Sequence, residues 1–319
     1  MLPSAPNKFW QLTVGGRSAG LKEIYYKRLV NDLSKIISNN QKKWDNHVEV
    51  GEHCTVPWLN IDMDLLIKYA NGELLCFHKP NSKKTDNLFL AKIRKLFFAN
   101  LKGKKVLCLA SGGGQQSAMF SLLGADVTIA DISQGQLDGD IRAAAHYGYT
   151  VKTVLCSMTD LSVFVDESFD IVFQPISICF VPDVSVVYKE VYRVLKKGGL
   201  YQVHHTNPAI LPECFENDID GWDGTGYRIS SPYIGGALLI DENGNENMTY
   251  GEPTGEFRHL FIDMFCHLTE AGFQIKYVME DERNLFDEIL EQYKLNSINE
   301  SYDSSFSILQ RYIYIISSK

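Results

Sequence analysis

The stretch VLCLASGGGQQS, residues 106–117, joins a short apolar run to a glycine-rich turn and then to a sequence compatible with a helix. Glycine lets a backbone adopt positive φ and approach a ligand closely, and the first turn of a helix offers amides without a partner inside the helix. The next apolar run ends at Asp131, 19 residues after Gly112. An acid at about this spacing accepts hydrogen bonds from ribose hydroxyls. Together these features predict a strand, a turn and a helix that bind an adenosine-containing cofactor.

The order of the glycines leaves the kind of cofactor open. A dinucleotide-binding turn follows the pattern G-x-G-x-x-G/A, whereas here Gly112 and Gly114 are followed by Ser117. This is a near miss, so a nicotinamide dinucleotide, and with it an NAD-dependent oxidoreductase, stays an alternative at this point.

Short apolar runs alternate with helix-compatible segments through the middle of the chain. The strand-like runs are Lys105–Ala110, Asp126–Ala130, Val151–Cys156, Phe169–Phe173 and Gly199–His204. The helix-compatible segments are Gln115–Leu123, Gln134–Tyr147 and Asp183–Lys197, the last with lysines in its final turn and a glycine cap. Alternation of this period predicts an α/β fold with a doubly wound, mostly parallel sheet.

The rest of the chain divides into a front part and a back part. Residues 1–100 are expected to form a helical N-terminal extension or lid, with helical patterns at Leu21–Ile37 and Leu88–Leu101. Residues 101–319 are expected to form the cofactor-binding domain, interrupted at about 207–256 by a glycine- and aromatic-rich cap insertion. The segments after the insertion predict, in order, a helix, a strand, a helix and a strand: Phe257–Ala271, Phe273–Met279, Glu282–Tyr293 and Ser307–Ser317.

Composition narrows the choice of partners. The 319 residues carry a formal net charge of −8, and an acidic surface repels phosphate backbones, so we expect no nucleic-acid partner. The longest apolar stretch, Ile171–Tyr188, is broken by polar residues and prolines, so we expect no membrane span. The seven cysteines form no C-x-x-C pair, and no signal peptide is recognised. These features predict a cytoplasmic protein, either a monomer or a homodimer.

Longer segments resemble the class I, Rossmann-like methyltransferases of small molecules. The segment VLCLASGGGQQSAMFSLLGADVTIADIS is similar to their first motif and second strand, and SMTDLSVFVDESFDIVFQPISICFVPD to their adenine-side loop and fourth strand. VYKEVYRVLKKGGLYQV resembles their helix into the fifth strand, and QRYIYIISS fits the antiparallel last strand of a seven-stranded sheet. Two positions depart from the motif, since the family usually has an acid at the position of Cys108 and glycine at that of Ala110.

The resemblance implies S-adenosyl-L-methionine as cofactor, with S-adenosyl-L-homocysteine as product. Asp131 would hold the ribose hydroxyls, Ile132 would lie against the adenine, Ser157 and Met158 would flank the adenine edge, and Gln174 would face the sulfonium and methyl. The cofactor-binding turn would consist of Ala110, Ser111, Gly112, Gly113, Gly114, Gln115 and Gln116.

The acceptor of the methyl group is expected to be a small molecule. It should bind beyond the carboxyl ends of the fourth and fifth strands, where Gln174 and the adjacent histidines His204 and His205 are the catalytic candidates. The histidines should point to opposite faces of the sheet, so at most one faces the acceptor. Candidates for substrate contacts are Trp44, Ser177, Asn207, Trp222 and Tyr233. We expect no metal site, because the spacing of Asp218, Asp220 and Asp223 fails the calcium-loop pattern. A non-catalytic binding protein with this fold is the further alternative.

Overall fold

A seven-stranded sheet forms the centre of the computed structural model, which describes residues 33–73, 84–208, 235–238, 248–249, 252–253, 255–281 and 312–319. Its strands are β1 Lys105–Leu109, β2 Asp126–Asp131, β3 Lys152–Leu155, β4 Phe169–Gln174, β5 Leu195–Thr206, β10 Gln274–Asp281 and β11 Tyr312–Ser318. Four two-residue strands lie outside it and form two small ribbons: β6 Ala237–Leu238 pairs with β9 Phe257–Arg258, and β7 Met248–Thr249 pairs with β8 Glu252–Pro253.

The strand order of the sheet is β10-β11-β5-β4-β1-β2-β3. Neighbours from β5 to β3 run parallel, whereas β11 pairs antiparallel with both β5 and β10. The sequence of β11 explains its place inside the sheet, because Ile313, Tyr314, Ile315 and Ile316 are all buried and therefore need cover on both faces. The predicted doubly wound sheet with an antiparallel last strand is confirmed.

Helices cover both faces of the sheet. They are α1 Leu33–Val50, α2 Met63–Ala70, α3 Lys84–Phe98, α4 Gln116–Leu122, α5 Gln134–Tyr147, α6 Val184–Val194 and α7 Phe261–Glu270. One core contains α2 and α3 together with α4 and α5, and the other contains α6 and α7. In α6, Val184, Val187, Val191 and Val194 recur at helical spacing and are buried, which fixes the face that packs on the sheet.

Two predicted boundaries of elements are wrong. The helix α6 ends at Val194 rather than at Lys197, because Leu195 already has extended backbone and pairs with Phe169 of β4. The expected glycine cap at Gly198 instead donates its amide to the carbonyl of Lys319, at 2.9 Å. The helix predicted from Phe257 begins only at Phe261, because residues 257 and 258 pair with β6.

The N-terminal part belongs to the same core as the sheet. Tyr69 of α2 and Phe97 and Phe98 of α3 are buried, and Phe98 packs against Phe120 of α4 with the ring centroids 5.2 Å apart. The described residues of this part contain the helices α1, α2 and α3, and whether it acts as a lid stays a prediction.

Several expectations fall on residues that the structure does not describe. They are the helix Leu21–Ile37 before residue 33, the helix Glu282–Tyr293, and most of the cap insertion with Trp222, Tyr233 and the aspartates 218, 220 and 223. In the described part of the chain, no helix has the length and apolar character that crossing a membrane requires.

Candidate cofactor and acceptor site

The sequence-predicted residues gather at one edge of the sheet. The glycine turn follows β1, Asp131 closes β2, Ser157 and Met158 follow β3, and Gln174 closes β4. Because these four strands are adjacent and parallel, their carboxyl ends meet at the same edge, which is where α/β sheets bind ligands. His204 and His205 near the end of β5 extend the same edge.

The turn after β1 has a backbone that glycine alone adopts without strain. Gly113 and Gly114 have φ of 109° and 79°, and a Cβ at Gly114 would lie 2.5 Å from the carbonyl oxygen of Gly139 in α5. Ala110 also has a positive φ, 45°, at the position where the family usually has glycine. The departure at Ala110 therefore leaves the turn's backbone conformation in place.

Asp131 anchors the turn through backbone amides. Its Oδ2 accepts from the amide of Gly112 at 3.0 Å, and its Oδ1 accepts from the amide of Ser133 at 3.0 Å. Burial raises the pKa of Asp131 to about 6, while the hydrogen bonds from Ser133 and Gly112 act in the opposite direction. Each carboxylate oxygen has a second lone pair, so ribose hydroxyls can still be accepted.

The side chains of Gln115 and Gln116 are used within the protein. Gln115 donates its Nε2 to the carbonyls of His53 and Val56, both at 3.0 Å, and Gln116 accepts a hydrogen bond from the hydroxyl of Ser111 at 3.3 Å. These glutamines therefore shape the turn, and any contact with the cofactor would come from their backbone. The segment from residue 53 onward lies directly on the turn.

Gln136 supports the fit of an adenosyl cofactor to this site. The side chain of Gln136 is buried, and its Oε1 has no hydrogen-bond partner in the part of the chain that the structure describes. This oxygen lies 2.9 Å from where a Cβ on Gly113 would be. A buried acceptor without a partner is costly unless a ligand supplies the donor, and the cofactor carries amine and hydroxyl donors.

Gln174 connects the ends of β4 and β5. Its Nε2 lies 3.2 Å from the sulfur of Met158 and 3.3 Å from the hydroxyl of Ser177, and its Oε1 accepts from Tyr201 at 2.6 Å. The amide is fully buried by these partners. The contact of Gln174 with Met158 joins two residues that the sequence predicted for the adenine and methyl sides.

The two histidines of β5 point to opposite faces, as the strand alternation predicts. His204 bonds to Gln202 through its Nε2, at 2.6 Å, and its ring packs on Phe173 and Tyr314. Burial lowers the pKa of His204 to about 3.

His205 lies on the other face, beside α6. Its Nε2 is 2.7 Å from the hydroxyl of Tyr188, whereas its Nδ1 is buried without a hydrogen-bond partner among the described residues. Burial lowers the pKa of His205 well below its usual value, with His259 adding to the effect. Both histidines are therefore neutral at pH 7.

Helix α1 crosses this edge and contacts the loops after β2 and β4. Asp45 accepts from the hydroxyl of Ser133 at 2.5 Å and from the amide of Gly135 at 3.3 Å. Trp44 packs edge-on against Phe180, with the ring centroids 5.6 Å apart, and Asn40 donates to the carbonyl of the same residue at 3.2 Å. One helix thus contacts both the loop after β2 and the loop after β4.

Three side chains at this site were not predicted from the sequence. They are Asn40 and Asp45 of α1 and the buried Asp140 of α5. Asn40 and Asp45 contact residues that are 140 and 88 positions away in the chain, so no local pattern reveals these contacts. Asn207, in contrast, lies where it was predicted, directly after β5, and is buried.

Comparison with known proteins identifies the family of this chain. A family model described as a methyltransferase domain matches residues 107–203. The Bacillus subtilis protein named as the uncharacterized methyltransferase YbaJ is 33% identical over 261 residues, which cover 82% of this chain and 95% of the relative. The ubiquinone biosynthesis O-methyltransferase of Pseudomonas syringae is 36% identical over 101 residues, which cover 32% of this chain and 44% of the relative.

A solved structure shows the same fold. The protein from Listeria monocytogenes that is assigned as an S-adenosylmethionine-dependent methyltransferase superposes with a TM-score of 0.50 at 19% identity. The match covers 70% of this chain and 94% of the other.

The sheet order and the antiparallel β11 define a Rossmann-like fold, and the glycine turn with Asp131 lies at the carboxyl edge of its sheet. With the extended match to the Bacillus relative, the chain belongs to the class I S-adenosylmethionine-dependent methyltransferases. Its cofactor is S-adenosylmethionine. The dinucleotide alternative that the order of the glycines left open is therefore wrong.

Proposed function

We propose that this enzyme transfers the methyl group of S-adenosylmethionine to a small molecule bound at the carboxyl ends of β4 and β5, beneath α1. The observation that carries the proposal is the position of α1. Through Asp45 it bonds to the loop beside Asp131, and through Asn40 and Trp44 it contacts Phe180 in the loop after β4. A helix held at both loops supports a closed pocket in which cofactor and acceptor meet.

Methyl transfer is an in-line displacement, in which the acceptor's electron pair forms a bond to the methyl carbon while the carbon–sulfur bond breaks toward sulfur. The cofactor, when bound, supplies the electrophilic methyl and a neutral thioether leaving group. In our proposal the backbone of Gly112–Gly114 and the carboxylate of Asp131 hold the ribose and methionine side. Ile132, Ser157 and Met158 border the adenine. Holding the reacting atoms in line and excluding water supplies most of the acceleration.

The proton of an alcohol or amine acceptor needs a base, and we propose His205 rather than His204 for this role. A base must be neutral, which both are, and must have a free nitrogen lone pair. The Nδ1 of His205 lacks a partner among the described residues and carries the lone pair in the tautomer whose Nε2–H donates to the hydroxyl oxygen of Tyr188. The ring of His204, in contrast, is held between Phe173 and Tyr314. Gln174, fixed by Tyr201, is proposed to orient Met158 and Ser177 toward the cofactor and acceptor.

A small, largely apolar acceptor is supported by two observations. The net charge of −8 disfavours nucleic acid. Among the relatives, one is named for ubiquinone biosynthesis and another, from Aspergillus fumigatus, as a sterol 24-C-methyltransferase. We extend the choice of a small molecule to this chain as a proposal. Trp44, Ser177, Asn207, Trp222 and Tyr233 are its proposed contacts.

The experiment that tests the function is a pair of measurements on the full chain. Isothermal titration calorimetry with S-adenosylmethionine, S-adenosylhomocysteine and NAD should show binding of the two adenosyl ligands only. A panel of small alcohols, phenols, amines and prenylated quinols with methyl-labelled cofactor should then yield a labelled product. Two outcomes would refute the small-molecule proposal. One is cofactor binding without transfer to any acceptor, and the other is transfer only to a protein or nucleic acid.

The lid role of residues 1–100 has its own test. If α1 and residues 53–58 close over the bound ligands, hydrogen exchange in residues 40–58 should slow when S-adenosylhomocysteine is added. Protection confined to the glycine turn and Asp131 would refute the lid. The same proposal holds for the insertion at 207–256. A cytoplasmic location and a monomeric or homodimeric state are proposed too, and light scattering on the purified chain tests the latter.

A further inference from the structure

Besides Asp131, a second buried carboxylate lies under the glycine turn. Asp140, on α5, is fully buried, and its two oxygens accept hydrogen bonds from the amides of Gly113 and Gly114, both at 3.1 Å. The hydroxyl of Ser117, in the first turn of α4, donates to the same carboxylate. All three donors thus belong to the turn or to the helix that follows it.

The approach of α5 that brings this carboxylate under the turn depends on a second glycine contact. Gly139 lies so close to the turn that a Cβ there would be 2.9 Å from the backbone of Gly113. The carbonyl of Gln136 also accepts from the amide of Gly113, at 2.9 Å. Turn and helix are therefore in backbone contact, and Asp140 occupies the space between them.

We propose that Asp140 is a positioning residue that holds the glycine turn in the conformation that receives S-adenosylmethionine. The amide of Gly114 donates to its carboxylate, and the amide of Gly113 is shared between this carboxylate and the carbonyl of Gln136. These bonds fix the direction of the adjoining peptide planes and leave the opposite side of the turn for the ligand. The inference rests on cofactor binding by this turn and not on the identity of the acceptor.

Burying the carboxylate of Asp140 costs stability, and this cost agrees with a role of the residue in function. No salt bridge reaches it within the described residues, and an unpaired buried carboxylate is costly. Cys108 of β1, the position at which the family usually has an acid, is buried near it, and the charge of Asp140 contributes to a raised pKa of that thiol. Asp140 thus supplies a carboxylate in a place where β1 has none.

The ionisation of Asp140 provides a readout that a merely structural side chain would not give. Burial raises the pKa of Asp140 to about 7, whereas the hydrogen bond from Ser117 lowers it and the charge of Asp131 raises it. Among the described residues, Cys108 from β1 and Tyr149 from the segment after α5 are the other titratable groups that interact with it. The ionised carboxylate accepts all three hydrogen bonds, whereas protonation turns one of its oxygens into a donor. Cofactor affinity should therefore rise as the pH passes upward through about 7.

The test is calorimetry of S-adenosylhomocysteine binding to the full chain over about pH 5.5–8.5. Asp140→Asn keeps the size of the side chain but turns one acceptor oxygen into a donor that opposes an amide of the turn. At pH 8 its affinity should be at least about tenfold weaker than that of the wild type, with an unchanged circular dichroism spectrum. The rise in affinity near pH 7 should be absent, whereas a step from Asp131 near pH 6 should remain. Asp138→Asn, exposed on the same helix, is the matched control and should bind as the wild type does.

Wild-type affinity in Asp140→Asn at pH 8, or an unchanged rise in affinity near pH 7, would overturn the inference. If Asp140→Asn does not fold, Ser117→Ala removes one of the three donors and leaves the carboxylate. That variant should bind S-adenosylhomocysteine about three- to tenfold more weakly, and unchanged affinity there would overturn the inference as well. Failure of the wild type to bind the ligand would instead count against the proposed function.

Discussion

Gly114→Ala, with Gly148→Ala as its matched control, tests the contact between the glycine turn and α5. The pair of variants separates the cost of a positive φ from the cost of a steric clash between turn and helix. The two glycines have nearly the same φ, 79° and 76°. A Cβ at Gly148 would meet no atom within 4 Å, whereas one at Gly114 would lie 2.5 Å from the oxygen of Gly139 and 2.8 Å from the Cβ of Pro57. Positive φ costs an L-residue about 1–2 kcal/mol, and overpacking adds about 1–3 kcal/mol.

The free energy of unfolding should therefore fall by about 1–2 kcal/mol in Gly148→Ala and by about 2–5 kcal/mol in Gly114→Ala. Urea unfolding followed by circular dichroism measures both losses. Calorimetry with S-adenosylhomocysteine should show wild-type affinity for Gly148→Ala and at least about tenfold weaker binding for Gly114→Ala, because the displaced turn is the proposed cofactor-binding surface. Equal losses of stability in the two variants, or unaltered affinity in Gly114→Ala, would refute the close contact of the turn with α5 and residue 57.

Three further outcomes follow from the same edge of the sheet. Asp131→Ala should weaken S-adenosylmethionine binding at least about tenfold in calorimetry. The same variant removes the acceptor of the Gly112 and Ser133 amides, so it should lower the free energy of unfolding by about 1–3 kcal/mol per amide. The pKa of Asp140, about 7, lies above its unfolded-state value, so its stabilising contribution is complete below about pH 4 and lost as the pH rises through 7. Urea unfolding should therefore show wild-type stability falling relative to Asp140→Asn between about pH 4 and 7, by no more than about 1.4 kcal/mol per pH unit. A difference that does not change with pH contradicts the raised pKa. Trp44→Ala should cost about 1 kcal/mol or more through its edge contact and abolish any slowing of hydrogen exchange in residues 40–58, and an unchanged exchange pattern would count against the lid.

The strands of the sheet were predictable because each is a short run of buried residues, and burial on both faces leaves a continuous apolar signal. The run from Lys105 and the run from Phe169 both appear in the structure with the expected starts. The start of β5 was not predictable, since Lys196-Lys197-Gly198-Gly199 has the composition of a helix end. Its partners are Phe169 and Lys319, and pairing at such separation cannot be read from a local pattern.

The glycine turn and Asp131 were predictable from the local sequence as well. Each follows a short apolar run, and the spacing of the two runs along the chain indicates that their ends meet. What the glutamines of the turn contact was not predictable. Gln115 bonds to carbonyls about 60 residues earlier in the chain, and Asp140 accepts from amides that are 26 and 27 residues away. Sequence shows which residues end the strands, whereas the supports of the turn depend on how α5 and residues 53–58 pack around it.

These supports make the turn a junction of three parts of the chain. From one side Asp140 and Gly139 contact it, and from the other Trp58 donates its amide to the carbonyl of Gly114 at 3.2 Å while Gln115 holds the carbonyls of the segment before it. Movement of residues 53–58 would therefore shift the turn that is proposed to receive the cofactor. The same N-terminal part reaches the loop after β4 through Asn40. Binding of an acceptor near Phe180 would then be coupled through α1 to the conformation of the cofactor turn. Affinity for S-adenosylhomocysteine should therefore increase when a true acceptor analogue is present. Equal affinity with and without the analogue would show that the two loops act independently.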